Sequence, residues 1–231
     1  IDHPAHARLL APLMRELSSP EDVIIACDRT EVRGMIKNCD GHMPRRRTVW
    51  VPRPVGKGRW RKAWKRTRIS RKALKGVEKV ICIGTPIELR AAPKNARRIY
   101  ITDTEVNHLA HSLAKPTDVI IPTHFIDSLA GSLMKKKAKF HRINGLHGHI
   151  HLQPHIRPSD VSQPPDILVR ELVGDGIHDE DEILHIPDSW LEGLAIHRAD
   201  ENKVEGNPWD LDRMISGMNG VITQSVTMAS E

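Results

Sequence analysis

Short runs of β-branched and apolar residues recur along this chain, and a helix-length stretch separates each run from the next. The runs are Asp22–Asp28 (DVIIACD), Lys79–Ile83 (KVICI), Arg98–Thr102, Asp118–Ile121, Ile167–Leu172 and Gly220–Thr223. Between them, residues 5–17 carry Leu9, Leu10, Leu13, Met14 and Leu17 at helical spacing, behind a proline suited to a helix entrance. Residues 29–38, Arg59–Lys75, Glu88–Ala92, Val106–Ala114 and Ser189–Ala195 also read as helices. Such alternation predicts an α/β fold, a parallel sheet covered by helices. Up to about residue 143 it forms one repeated β-α unit. From about 144 to 165 the texture changes, with Pro154, Pro158, Pro164 and Pro165 forbidding a long helix. We read this stretch as an interdomain connection, with one domain over 1–155 and the start of a second over 156–231.

Aromatic residues are only 3% of a chain that is 39% hydrophobic, so its cores are built mainly from aliphatic side chains. No apolar run is long enough to cross a bilayer, and no charged-then-apolar leader opens the sequence. Cys27, Cys39 and Cys82 lack metal-ligand spacing, and two of them sit in strand-like runs where cysteine acts as a small hydrophobe. A cytoplasmic location is therefore expected. The formal charge of +6 hides a local imbalance, because fourteen Lys and Arg and no acid lie between Arg45 and Lys75. Taking those fourteen from +6 leaves −8 for the remainder, an acidic protein that carries one basic segment.

In open parallel sheets, ligands settle beyond the carboxyl ends of the strands, where helix N-termini offer N–H groups to phosphate. Four strand ends carry small or polar residues suited to this: Asp2-His3-Pro4, Gly84-Thr85-Pro86, Asp103-Thr104-Glu105 and Ser225-Val226-Thr227. Ile1-Asp2-His3 reads as the end of a strand already running, and Thr227–Glu231 as the first turn of a helix, so the second unit is expected to be cut short.

The stretches IDHPAHARLLAPLMREL (1–17), ITDTEVNHLA (101–110), INGLHGHIHLQPHIRPSD (143–160), ILVRE (167–171), His178-Asp179 and VITQSVTMASE (221–231) together resemble the family called domain of unknown function 354. The resemblance runs over nearly the whole chain. It implies two Rossmann-like domains of glycosyltransferase-B type, the second truncated, in a layout similar to non-hydrolysing UDP-N-acetylglucosamine 2-epimerases. The family usually has glycines where Gln224, Ser225 and Val226 stand here, and these side chains narrow the room for a diphosphate.

On that resemblance, His3 is a candidate base or acceptor contact, since an unperturbed imidazole titrates near neutrality; it equally suits a helix cap. Glu105 is the preferred catalytic acid–base and Asp103 the alternative, either able to take a proton from an acceptor hydroxyl. Asp103 or Thr104 could instead cap the helix expected from Val106. Arg170 is expected to grip the donor diphosphate, or else to pair with Glu171. His178, with Asp179, could add a phosphate contact or be solvated surface. Ser225, Thr227 and Met228 precede the final helix and could hold phosphate. Glu231 is expected near the ribose or closing a capping box, and Gly84 and His147 complete the donor-side set. The alternation of His147, His149 and His151 would put three imidazoles on one strand face, but without a supporting second shell no metal is assigned.

The basic segment has three readings. Trp60 and Trp64 with Arg61, Lys65 and Arg68 could dock on an anionic membrane, placing the protein peripherally on its inner face. Alternatively the two tryptophans are core and the charges solvated, or the charge attracts nucleic acid, the weakest reading because no nucleic-acid module accompanies it. The function expected is transfer of a sugar from a nucleotide sugar to an acceptor that could be lipid-linked, with no cofactor beyond that donor. A sugar-nucleotide 2-epimerase and a non-catalytic binding protein are the alternatives. Nucleotide base, sugar, acceptor and oligomeric state are not encoded legibly.

Overall fold

A computed structural model describes residues 1–145, 166–170, 186–198 and 207–223. The fold is mixed α/β with parallel sheets. Helix α1 (Pro4–Leu17) leads to strand β1 (Val23–Cys27), helix α2 (Thr30–Lys37) and strand β2 (Arg47–Val51). Then follow α3 (Arg59–Ala73), β3 (Lys79–Ile83), α4 (Ile87–Ala91), β4 (Arg97–Ile101), α5 (His108–Leu113), β5 (Asp118–Pro122) and β6 (Lys139–Ile143). Beyond these come β7 (Asp166–Arg170), β8 (Ala195–Arg198), α6 (Leu211–Ser216) and β9 (Gly220–Thr223).

Strands β1 and β2 pair in parallel, β3-β4-β5-β6 form a four-stranded parallel ladder, and β7 lies between β8 and β9 in a third sheet. Ile1 takes a rung beside β1, its ammonium donating to Ile25 O and its carbonyl accepting from Cys27 N. The first two ladders share one core: Ile25 and Val51 pack with Val80, Cys82, Leu89, Tyr100, Val119 and Leu133. Strands covered on both faces read as unbroken apolar runs, which is why VIIAC and DVII stood out in the sequence. On the opposite face, α1 and α2 enclose Ala7, Ala11, Ile24, Ala26, Val32 and Met35. Trp209, from a 3-10 turn at Pro208–Asp210, enters this second cluster and donates its indole N–H to Met35 O at 2.9 Å, with His42 stacked on it. A buried tryptophan in such a site contributes about 3–5 kcal/mol, so the segment ahead of α6 is fastened to the first unit.

Several expectations are corrected. Strands β2 and β6 were not foreseen, because Arg47 and Lys139–Arg142 mask an apolar pattern that is only half-buried. The helix expected over Ser189–Ala195 is a 3-10 turn at Asp188–Trp190 followed by strand β8. In α1, Ala5, Ala7, Arg8, Leu9 and Ala11 are buried and Met14 packs against the core, while Leu13 and Leu17 are exposed. Helix α5 begins at His108 with Asn107 before it and no side-chain cap, so neither Asp103 nor Thr104 caps it. All three cysteines are free and buried. Among the described residues no helix is long and apolar enough to cross a membrane.

Candidate functional site

Because the paired strands are parallel, their carboxyl ends gather on one edge, and the predicted residues of the first unit lie along it. His3 occupies the N-cap of α1, its Nδ1 accepting from Ala5 N at 3.3 Å. An imidazole that accepts at Nδ1 carries its proton on Nε2 when neutral, so Nε2 of His3 is a donor. Burial pushes the His3 pKa down to about 4, reinforced by the positive charges of Arg29, Arg170 and Arg8 and opposed by Glu31. At pH 7 the ring is therefore uncharged. Arg29, which follows β1 and pairs with Glu31 at 3.1 Å, Arg8 on α1 and Arg170 at the end of β7 thus act electrostatically on one ring from three separate places.

Next along the edge, Asp2 sits in a buried ion network. Arg66, 1% exposed, donates two hydrogen bonds to Asp2 and two to Glu88, all between 2.8 and 2.9 Å. Ser70 Oγ adds a bond to Glu88 and Thr85 Oγ1 one to Asp2. Burial alone would raise the Asp2 carboxyl, but Arg66 outweighs it and holds the group well below the usual carboxylate range. The Arg66 guanidinium is likewise held charged, its burial more than offset by Asp2 and Glu88.

Thr85 leads to Gly84, whose φ of 63° lies in the left-handed region that a side chain rarely adopts. Gly84 N donates to Ile101 O, and Gly84 O accepts from Asn107 Nδ2 at 3.5 Å and Tyr100 Oη at 3.4 Å. The turn after β3 is thus tied to the loop after β4, which carries the candidate carboxylates. Thr102 Oγ1 accepts from Thr104 N and donates to Thr104 O, shaping that loop. Half-buried Glu105 accepts from Ile126 N through Oε1 at 2.9 Å, which fixes the carboxylate and leaves Oε2 for other partners. Asp103 is exposed and accepts from Thr104 Oγ1.

The structure therefore brings His3 together with Arg170, and Gly84 together with the loop of Glu105 and Asp103. Trp60, Arg61, Trp64, Lys65 and Arg68 are exposed on α3. His147, His149, His151, Glu171, His178, Asp179, Gln224, Ser225, Val226, Thr227, Met228 and Glu231 lie outside the described residues. Sequence reasoning missed Arg8 and Arg29. Arg29 stands two residues past a strand end, the same positional signal that selected Asp2-His3 and Asp103–Glu105. Arg66 was missed because thirteen other cations surround it in the basic segment.

Compared with known proteins, the chain matches no family model, no curated protein and no solved structure.

Proposed function

We propose that the chain is a nucleotide-sugar-dependent glycosyltransferase of glycosyltransferase-B type, the sheet β7–β9 opening its donor-binding domain. The observation that carries this reading is that Arg29, just past β1, Arg170, at the end of β7, and Arg8 of α1 all act electrostatically on His3, with Arg29 also paired to Glu31 at 3.1 Å. Three guanidinium groups and a neutral imidazole donor suit the oxygens of a diphosphate, where charge builds as the sugar–phosphate bond breaks. Arg29 and Arg170 would neutralise that leaving group. Glu105, held by one oxygen, would accept the proton of an acceptor hydroxyl as its oxygen bonds to the anomeric carbon; the sugar–phosphate C–O bond breaks and the nucleoside diphosphate departs. Attack from the face opposite the leaving group inverts the anomeric centre. Closure of the edge around the donor would exclude water and favour transfer over hydrolysis.

Incubation with nucleotide sugars and no acceptor tests the chemistry. A transferase should release nucleoside diphosphate slowly and leave the remaining donor unaltered. Glu105→Gln should lower release or transfer by about 10²–10⁴-fold while donor affinity is kept. Conversion of the donor into a second sugar nucleotide would instead establish the epimerase reading.

A further inference from the structure

Helix α3 has two unlike faces. Arg66 and Ser70 are buried against α4, whereas Trp60 and Trp64, one turn apart, are 73% and 64% exposed. The core alternative for these tryptophans is thus overturned. Around them Arg61, Lys65, Arg68, Arg71 and Lys72 are exposed, and no acid lies between Asp40 and Glu78. A second exposed apolar set lies beside Glu105: Val106, Leu109, Ile126 and Leu129 are 54%, 68%, 52% and 48% exposed. The Glu105–Ile126 hydrogen bond draws the two loops of this set together.

Both sets lie toward the same edge of the fold. Helices α4 and α5 connect successive parallel strands of the β3–β6 sheet, and right-handed crossovers put them on one face, where α3 packs against α4. Contacts join α3 to α4, and Arg90 of α4 donates to Leu113 O at the end of α5. Each helix runs against its strands, so Trp60, at the start of α3, and Val106, ahead of α5, lie toward the carboxyl edge that holds the candidate site.

We infer that this face docks on an anionic lipid bilayer, with Trp60 and Trp64 at the headgroup level among cations and the Val106–Leu109–Ile126–Leu129 patch meeting the acyl boundary beside Glu105. Tryptophan favours the membrane interface, and cations next to it are drawn to acidic headgroups. Nucleic acid fits less well. Arg59 lies over the Trp60 ring and Arg68 over the Trp64 ring at 5.3 and 5.7 Å, so one face of each ring already carries a cation. The aliphatic patch, moreover, has no use for a polyanion. The surface points to an acceptor carried on lipid, presented where the carboxylate of Glu105 is held. The inference stands on exposed residues alone, and vesicle binding is read separately from nucleotide binding.

Flotation of the full chain with phosphatidylcholine vesicles, and with vesicles containing 30% phosphatidylglycerol, tests it. The wild type should bind the anionic vesicles and leave the neutral ones nearly bare. Replacing Arg61, Lys65 and Arg68 by Gln should weaken binding about a hundredfold, at about fivefold per cation. The double variant Trp60→Ala/Trp64→Ala should weaken it about tenfold, as should Leu109→Ser/Ile126→Ser; all these side chains are exposed, so unchanged melting temperatures should accompany the losses. Quenching of tryptophan emission by brominated lipid should vanish in the tryptophan variant. Equal binding to both vesicle types would overturn the inference. So would tighter binding to single-stranded RNA than to the anionic vesicles, with the tryptophan and aliphatic variants indistinguishable from wild type.

Discussion

Arg66 and Arg170 both lie near the carboxyl edges of parallel strands, yet their surroundings are opposite in kind. Arg66 is enclosed by two carboxylates, each taking two of its hydrogen bonds, and a serine and a threonine complete the cluster. Arg170 instead acts on His3 together with Arg29 and Arg8, against one acid, Glu31. The first arrangement consumes its positive charge internally and joins α3, α4 and the start of the chain. The second concentrates positive charge on a ring that has itself given up its proton. Under the proposed function, similar residues at the same edge would serve the fold in one place and an anionic ligand in the other.

The comparison breaks most visibly at Arg66. Arg66→Met should cost about 3–5 kcal/mol in urea unfolding, because Asp2 and Glu88 are left without their buried partner. Its pH signature follows from the lowered Asp2 carboxyl. That group's contribution is fully present above its unfolded pKa, about 4, and is lost as pH falls through its lower folded value. In Arg66→Met the unpaired buried carboxylates should titrate upward, so acidification should stabilise the variant where it destabilises the wild type. An unchanged urea midpoint and acid profile would mean that the network contributes nothing.

Arg170→Ala should instead reduce nucleoside diphosphate affinity about 10- to 100-fold, as for a lost hydrogen bond to a charged group. Equal affinity in a calorimetric titration would remove Arg170 from the donor site. A subtler effect is expected at His3, whose pKa of about 4 reflects burial first and then the three cations. A bound diphosphate should raise it by at least about one unit, which an NMR titration of the ring with and without ligand would detect. The smallest effect separates the two roles of this residue: His3→Ala removes a cap worth about 1 kcal/mol, while His3→Asn should keep the cap. A loss as large in His3→Asn as in His3→Ala would show that capping is not what the ring contributes to stability.

Much of the fold was legible because strands buried on both faces leave long apolar runs, as in Val23–Cys27 and Asp118–Pro122. Strands β2 and β6 were not, since half-buried strands admit Arg, Lys and His. The helix at α3 was legible, but not which of its cations faces inward. Burial of Arg66 depends on Asp2 and Glu88, 64 and 22 residues away in sequence, and no local pattern encodes that pairing. Strand-end position in the sequence also anticipated that His3, Gly84 and Glu105 lie at the carboxyl edge. The tautomer of His3 and its lowered pKa come from α1 capping geometry and from arginines on three elements, which only the tertiary arrangement assembles.

Thermal unfolding of the full chain against UDP, GDP, CDP and dTDP sugars, with Arg170→Ala alongside, tests the central claim most directly. Ligand at 100 times its dissociation constant adds about 2.7 kcal/mol, a rise in melting temperature that should appear with one nucleotide base and shrink or vanish in the variant. A folded wild type that none of these donors stabilises, or one stabilised equally with and without Arg170, would contradict the assignment of the arginine-lined edge to a nucleotide sugar.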